Sequence, residues 1–112
     1  MASRPVPEGS PLSLDRIIHG PLRLGIVAAL ASAERRTFTE LRDALGATDG
    51  NLNASLQKLE QAGYVAATKK AEGRVAITKY QLTRAGQKAL VAYLEQLERI
   101  IGPLRGGFTP GA

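Results

Sequence analysis

Cysteine and tryptophan are absent from this sequence, and histidine and methionine occur once each. Without cysteine there is no disulfide framework, no thiolate zinc site, no iron–sulfur cluster and no thiol redox switch. A lone imidazole, His19, leaves no second histidine for a multi-histidine metal centre within one chain. No apolar run approaches the roughly 18 residues of a membrane span, and the first residues lack the apolar core of a signal peptide, so no membrane partner is expected. Long charge runs of one sign are missing as well. What remains, at 112 residues and 44% hydrophobic, reads as one soluble domain. Its expected place is the cytoplasm, with the nucleoid if the cell is prokaryotic.

Basic charge is present in modest excess, 15 Lys and Arg against 10 Asp and Glu. The excess is uneven. Residues 34–63 are slightly acidic, whereas residues 64–83 hold Lys69, Lys70, Arg74 and Lys79 against Glu72 alone. A functional reading has to account for that cluster.

Residues 1–11 and 102–112 are rich in Pro, Gly and Ser and read as flexible tails, leaving a folded domain over 12–101. Leu14, Ile17 and Ile18 have a short helical pattern, which His19-Gly20-Pro21 interrupts. Pro21 suits the first turn of a new helix over about 21–33. Arg35-Arg36-Thr37 is a brief link or a short strand. Thr37 and Glu40 have the spacing of a capping box opening a helix over 38–45, and Gly46 closes it. Thr48 caps a third helix over about 49–62, with Asp49 at the positive end of its dipole and Gly63 at its stop. Tyr64–Thr68 and Val75–Leu82 read as strands around a Glu72-Gly73 turn. Thr83 caps a final helix over about 84–101.

Two helices joined by a tight Gly turn form a helix-turn-helix, and a basic hairpin follows directly. On a 3.6-residue period Leu52, Leu56 and Leu59 define the buried side of the third helix. Gly50, Ala54, Gln57 and Gln61 then face outward, with Asn51 and Lys58 on one flank and Asn53 on the other, and Gly50, Asn53, Ala54 and Gln57 are the candidate base-reading residues. That face is small, polar and uncharged, so it fits a major groove. Asn and Gln amides match adenine edges, and an alanine methyl matches thymine. Gly50 would let the helix start approach a phosphate through backbone N–H groups. Thr48, Asn51, Lys58, Lys69, Lys70 and Arg74 are the candidate phosphate and wing contacts, with Lys79 farther along the return strand. The blander uses of the same residues are a solvated helix face and lysines that guard a sheet edge.

At these residues the sequence resembles the winged helix-turn-helix transcriptional regulators of the MarR and ArsR type, and more narrowly the compact winged helix DNA-binding domain group. The stretches that carry the likeness are Leu14–Leu24, Phe38–Leu45, Thr48–Leu52, Leu56–Val65 and Tyr80–Gly86. The resemblance implies a mainly helical α+β fold: a winged helix-turn-helix with a two-stranded β wing and a C-terminal dimerisation helix. It also implies that Arg74 at the wing tip reaches a minor groove.

The last helix is more apolar than one protomer needs. Leu90, Tyr93, Leu94, Leu97, Ile100 and Ile101 are the expected dimer interface, unless the whole stripe packs within the protomer. A twofold dimer would present two third helices to successive major grooves, so the DNA site should be roughly palindromic. The expected function is sequence-specific binding of double-stranded DNA to regulate transcription, with repression favoured over activation. The alternatives are a winged-helix module for protein assembly and a non-specific DNA binder.

No enzyme activity and no cofactor are expected. His19 has no nucleophile partner and reads as structural. Asp49-Gly50-Asn51 lacks the ligand ladder of a calcium loop. Small-molecule control stays open, with room for a pocket only between the terminal helices and the first helix.

Overall fold

The computed structural model describes residues 14–32 and 35–107. The expected tail at 1–11 lies outside them, as do residues 12, 13, 33, 34 and 108–112. The chain orders as α1 (Pro21–Ala31), β1 (Arg36–Thr37), α2 (Phe38–Leu45), α3 (Asp49–Gln61), β2 (Val65–Glu72), β3 (Val75–Leu82) and α4 (Arg84–Gly107). The three strands form one antiparallel sheet in the order β1-β3-β2. The architecture is the expected helix-rich α+β fold with a wing hairpin. The sheet gains a third strand, because the Arg36-Thr37 link pairs with Tyr80 and Lys79.

Leu14, Ile17 and Ile18 do not form the short helix their spacing predicts. Asp15 caps a single turn there, its Oδ1 accepting from the Ile17 and Ile18 backbone N–H groups at 2.8 and 3.2 Å. The Asp15 carbonyl accepts from the His19 N–H at 2.8 Å, one helical bond, but the Gly20 N–H then returns to the Ile18 carbonyl at 2.8 Å and Pro21 has no N–H to offer, so the capped turn does not lengthen into a helix. Arg23 reinforces the turn from α1, with its Nε donating to the Ile17 carbonyl at 2.5 Å. Leu14 and Ile18 are thereby buried in the core.

Helices α2 and α3 start and stop where local chemistry dictates. Thr37 Oγ1 accepts from the Glu40 N–H at 3.1 Å, and Glu40 Oε1 accepts from the Thr37 N–H at 3.0 Å. Those two bonds satisfy donors that a helix start otherwise leaves orphaned. Gly46 ends α2 in the left-handed region at φ 62°, and Thr48 caps α3 by accepting from the Asn51 N–H at 3.2 Å.

Ile26, Val27 and Leu30 of α1 meet Leu41 of α2, Leu52, Leu56 and Leu59 of α3, and Val65 and Tyr80 of the sheet in a single core. Each large aliphatic side chain there stabilises the fold by about 2–5 kcal/mol relative to alanine. The leucine stripe of α3 is wholly buried in this core, so the opposite side of that helix has to face outward.

The last helix runs six residues past its expected end, through Pro103 to Gly107, so residues 102–107 are helical. Glu98 and Arg105, about two turns apart, form an ion pair at 2.5 Å across that stretch. At 24 residues α4 is roughly 36 Å long.

Candidate nucleic-acid interface

Three residues, Gly46, Ala47 and Thr48, separate α2 from α3. The turn is tight because Gly46 supplies positive φ and the Ala47 N–H returns to the Arg42 carbonyl at 3.1 Å. Packing of Leu52, Leu56 and Leu59 then fixes the rotation of α3. It places Gly50, Asn53, Ala54 and Gln57 together on the exposed side. At Gly50 a β-carbon would meet nothing within 4 Å, so the start of α3 stands open to a ligand.

Thr48, Asn51 and Lys58 are also exposed. Asn51 and Lys58 line a groove of about 340 Å³ between α3 and the first turn of α1, shared with Arg23 and Ala54. Thr48 is engaged as a cap through its oxygen, which leaves its hydroxyl hydrogen able to donate.

The hairpin turns at Gly73-Arg74, with Glu72 paired to Val75 and Gly73 at φ 63°. A glycine with positive φ at the first loop position suits the twist of a two-residue hairpin. Lys69, Lys70 and Arg74 are all exposed. The strand register pairs Lys69 with Thr78 and Lys70 with Ile77, so the two lysines project from opposite faces of the ribbon. Lys79 is half-buried and paired with Thr37 and Thr68 in the body of the sheet. It adds to the field that holds the Glu40 carboxyl below its ordinary range, although the Thr37 N–H and hydroxyl are the larger causes.

A salt-bridge group at the mouth of α3 is not evident from the sequence. Arg42 Nη1 donates to Asp49 Oδ1 at 3.0 Å, and its Nε donates to Asp43 Oδ1 at 3.2 Å. Its one signal is a cation seven residues before the acid that opens α3, across the glycine turn. At the junction behind the interface the Thr83 cap was expected, but its bond to Gly63 was not. Thr83 Oγ1 donates to the Gly63 carbonyl at 2.6 Å and accepts from the Gly86 N–H at 3.0 Å, tying the end of α3 to the start of α4.

A family model described as the winged helix DNA-binding domain matches residues 22–101. The chain belongs to that family. The winged helix protein is also 35% identical over 83 residues to the uncharacterized protein MJ0432 of Methanocaldococcus jannaschii, covering 73% of this chain and 89% of that one. Among solved structures, the transcriptional regulator homologue of Pyrococcus horikoshii is 29% identical with a TM-score of 0.76, over 80% of this chain and 89% of that one. PadR of Bacillus subtilis, solved with operator DNA, shares the fold at 18% identity and a TM-score of 0.56, over 62% of this chain and 44% of that one. The winged helix protein is thus a member of a DNA-binding transcription-regulator family. Among its described residues no cluster of His, Asp and Glu has a metal-binding arrangement, and no helix is long and apolar enough to cross a membrane.

The expected dimer face divides in two. Tyr93 is corrected: it is 3% exposed within the protomer, and its hydroxyl lies 3.0 Å from His19 Nδ1. A tyrosine on the inner side of α4 finds a polar partner there and has no surface left for another chain. Leu90, Leu97 and Ile100 are half-buried against the core, and Ile101 is half-buried as well. Leu94 is 51% exposed and Leu104, which widens the same apolar stripe, 67%; Val91, outside the expected stripe, is 55% exposed.

Proposed function

We propose that this winged helix protein is a homodimeric transcriptional regulator that reads a pseudo-palindromic DNA site and represses the gene beside it. The observation that carries the reading is the exposed side of α3. Gly50, Asn53, Ala54 and Gln57 form a small amide-bearing surface with no charge of its own, next to a hairpin whose exposed tip holds Lys69, Lys70 and Arg74. In this reading the amides and the alanine methyl contact base edges, while Thr48, Asn51, Lys58 and the wing contact phosphates and set the register. Arg74 at the loop enters the flanking minor groove.

Exposed Val91, Leu94 and Leu104 on α4 support a second copy as the partner of that helix. Twofold pairing then sets two copies of α3 about one helical turn of DNA apart. A repressor follows from occupancy of such a site near a promoter, and no cofactor has a part in it.

Selection of bound fragments from random duplex DNA tests the reading. Recovery of a motif with inverted half-sites supports it. Equal binding of all duplexes would assign the protein to non-specific packaging instead, and failure to bind any duplex at low salt would leave protein assembly as the use of the fold.

A further inference from the structure

We propose that Arg16, Arg23 and Lys58 form a second phosphate-binding track, on the flank of α3 away from the wing, so that the base-reading side of that helix is held between two rows of cations. The inference rests on the DNA-binding reading above and extends it to two arginines that lie outside both α3 and the wing.

Helical spacing sets the two flanks of α3. Asn51, Ser55 and Lys58 follow at i, i+4 and i+7, and they share the flank that faces the start of α1. Glu60 lies on the other flank. Burial, and then the nearby charge of Glu60, raise the Tyr80 phenol, which puts Glu60 beside the sheet that carries the wing. Gly50, Ala54 and Gln57 run between the two flanks.

Two adjoining grooves of about 340 and 400 Å³ follow the first flank, and both are lined by Arg23 and Lys58. Arg16 and Gln61 line the second. Among the described residues no acid lines either groove, and none of the three cations is in a salt bridge. Asp15, the acid next to Arg16 in sequence, is turned to the Tyr64 hydroxyl instead.

Arg23 is ordered before any ligand arrives. Its Nε donates to the Ile17 carbonyl at 2.5 Å and its Nη2 to the Arg16 carbonyl at 3.4 Å. Gly20 leaves room for it, since a β-carbon there would stand 3.1 Å from Nη2. Both acceptors are neutral, so the guanidinium keeps its full charge and three of its five N–H groups for another partner. A donor already held in place loses less freedom on binding. A concave cationic strip, with the amides of Asn51 and Gln61 and the Ser55 hydroxyl along it, matches the sugar–phosphate strand that walls a major groove. The wing cations take the other wall.

The test is fluorescence anisotropy on a labelled random-sequence duplex over a salt series, with thermal unfolding of each chain measured without DNA. Arg16 and Lys58 are exposed, so the paired substitution Arg16→Gln with Lys58→Gln should leave the fold intact. It should weaken binding about 10- to 30-fold at low salt and lower the slope of log affinity against log salt by about 1.8, for two phosphates no longer neutralised. Arg23→Gln should act in the same direction; if it does not fold, the exposed pair alone decides. The control makes the same change of charge on the outer side of α4, Arg84→Gln with Lys88→Gln, and should leave the slope nearly unchanged. An equal loss in the control would overturn the inference, because net charge alone would then explain it. An unchanged slope in the Arg16 and Lys58 variant would overturn it as well. A native protein that binds no duplex would overturn the DNA-binding reading as a whole, which is distinct from a native protein that binds with a slope indifferent to these cations.

Discussion

A β-carbon on Gly86 would overlap the carbonyl oxygen of Tyr64, so the first turn of α4 meets the start of β2 with no room for a side chain. The Tyr64 carbonyl is already fixed there, accepting from the Thr83 N–H at 3.0 Å. Gly86→Ala should therefore destabilise the fold by about 1–3 kcal/mol, by pushing α4 off the body. Urea unfolding checks this. Gly50→Ala is the contrast, since nothing lies within 4 Å of its added methyl. It should leave stability unchanged or raise it by up to about 1 kcal/mol, while weakening DNA binding by blocking close approach to the backbone.

Tyr64 also gives the protein a pH signature. Its hydroxyl donates to Asp15 Oδ2 at 2.5 Å, and that bond, followed by burial and the nearby charge, pushes the phenol up to about 12. A raised value means the stabilisation is fully present below the unfolded value near 10 and is lost as pH climbs toward 12. Thermal scans between those limits should show a falling midpoint, and Tyr64→Phe should flatten the fall. Glu40 works at the acid end with the opposite sign. The Thr37 N–H and hydroxyl hold its carboxyl below the ordinary 4.5, so its contribution is present above that value and fades as pH drops through the folded one.

The legible part of this fold is the part governed by neighbours in sequence. The Thr37–Glu40 box, Gly46, Thr48 and Gly73 each act within a few residues, and the bounds of α2 and β3 follow from them. Leu14, Ile17 and Ile18 fit a helix, and Asp15 caps its first turn, but Gly20 and Pro21 end that turn before a second one forms. Pro103 is an ordinary stop signal, yet α4 continues through it with the Glu98–Arg105 pair spanning the site. Tyr93 shares a stripe with leucines, and only the position of His19 in space turns it inward. The outward side of α3 is readable because three buried leucines determine the rotation of a helix. The Arg42–Asp49 pair is not, because it crosses from one helix to another.

The two sides of α4 should respond differently to substitution. Leu94→Glu alters a half-exposed residue, so the protomer should keep its fold while sedimentation shifts from dimer to monomer. Tyr93→Ala removes a side chain that is 3% exposed and should cost about 3–5 kcal/mol of stability. A native protein that sediments as a monomer at the concentrations used for DNA binding would refute the dimer.

Removing wing cations should act on affinity without changing preference. Alanine at Lys69, Lys70 and Arg74 together should weaken all duplexes alike. The slope of log affinity against log salt should fall by about 0.9 for each phosphate that the wing no longer neutralises. Gln57→Ala or Asn53→Ala should leave that slope in place and relax preference at particular base pairs. Salt titrations on matched and mismatched duplexes separate the two effects.

Base reading by α3 within a twofold dimer is tested most directly by the sequence preference of the native protein, obtained by selection from random duplex DNA. The expected result is enrichment of two inverted half-sites centred about 10 bp apart, or a multiple of that, with the preference lost in Gln57→Ala and retained in the wing variant. A flat selection with no enriched motif, from a protein that is folded and dimeric, would contradict it.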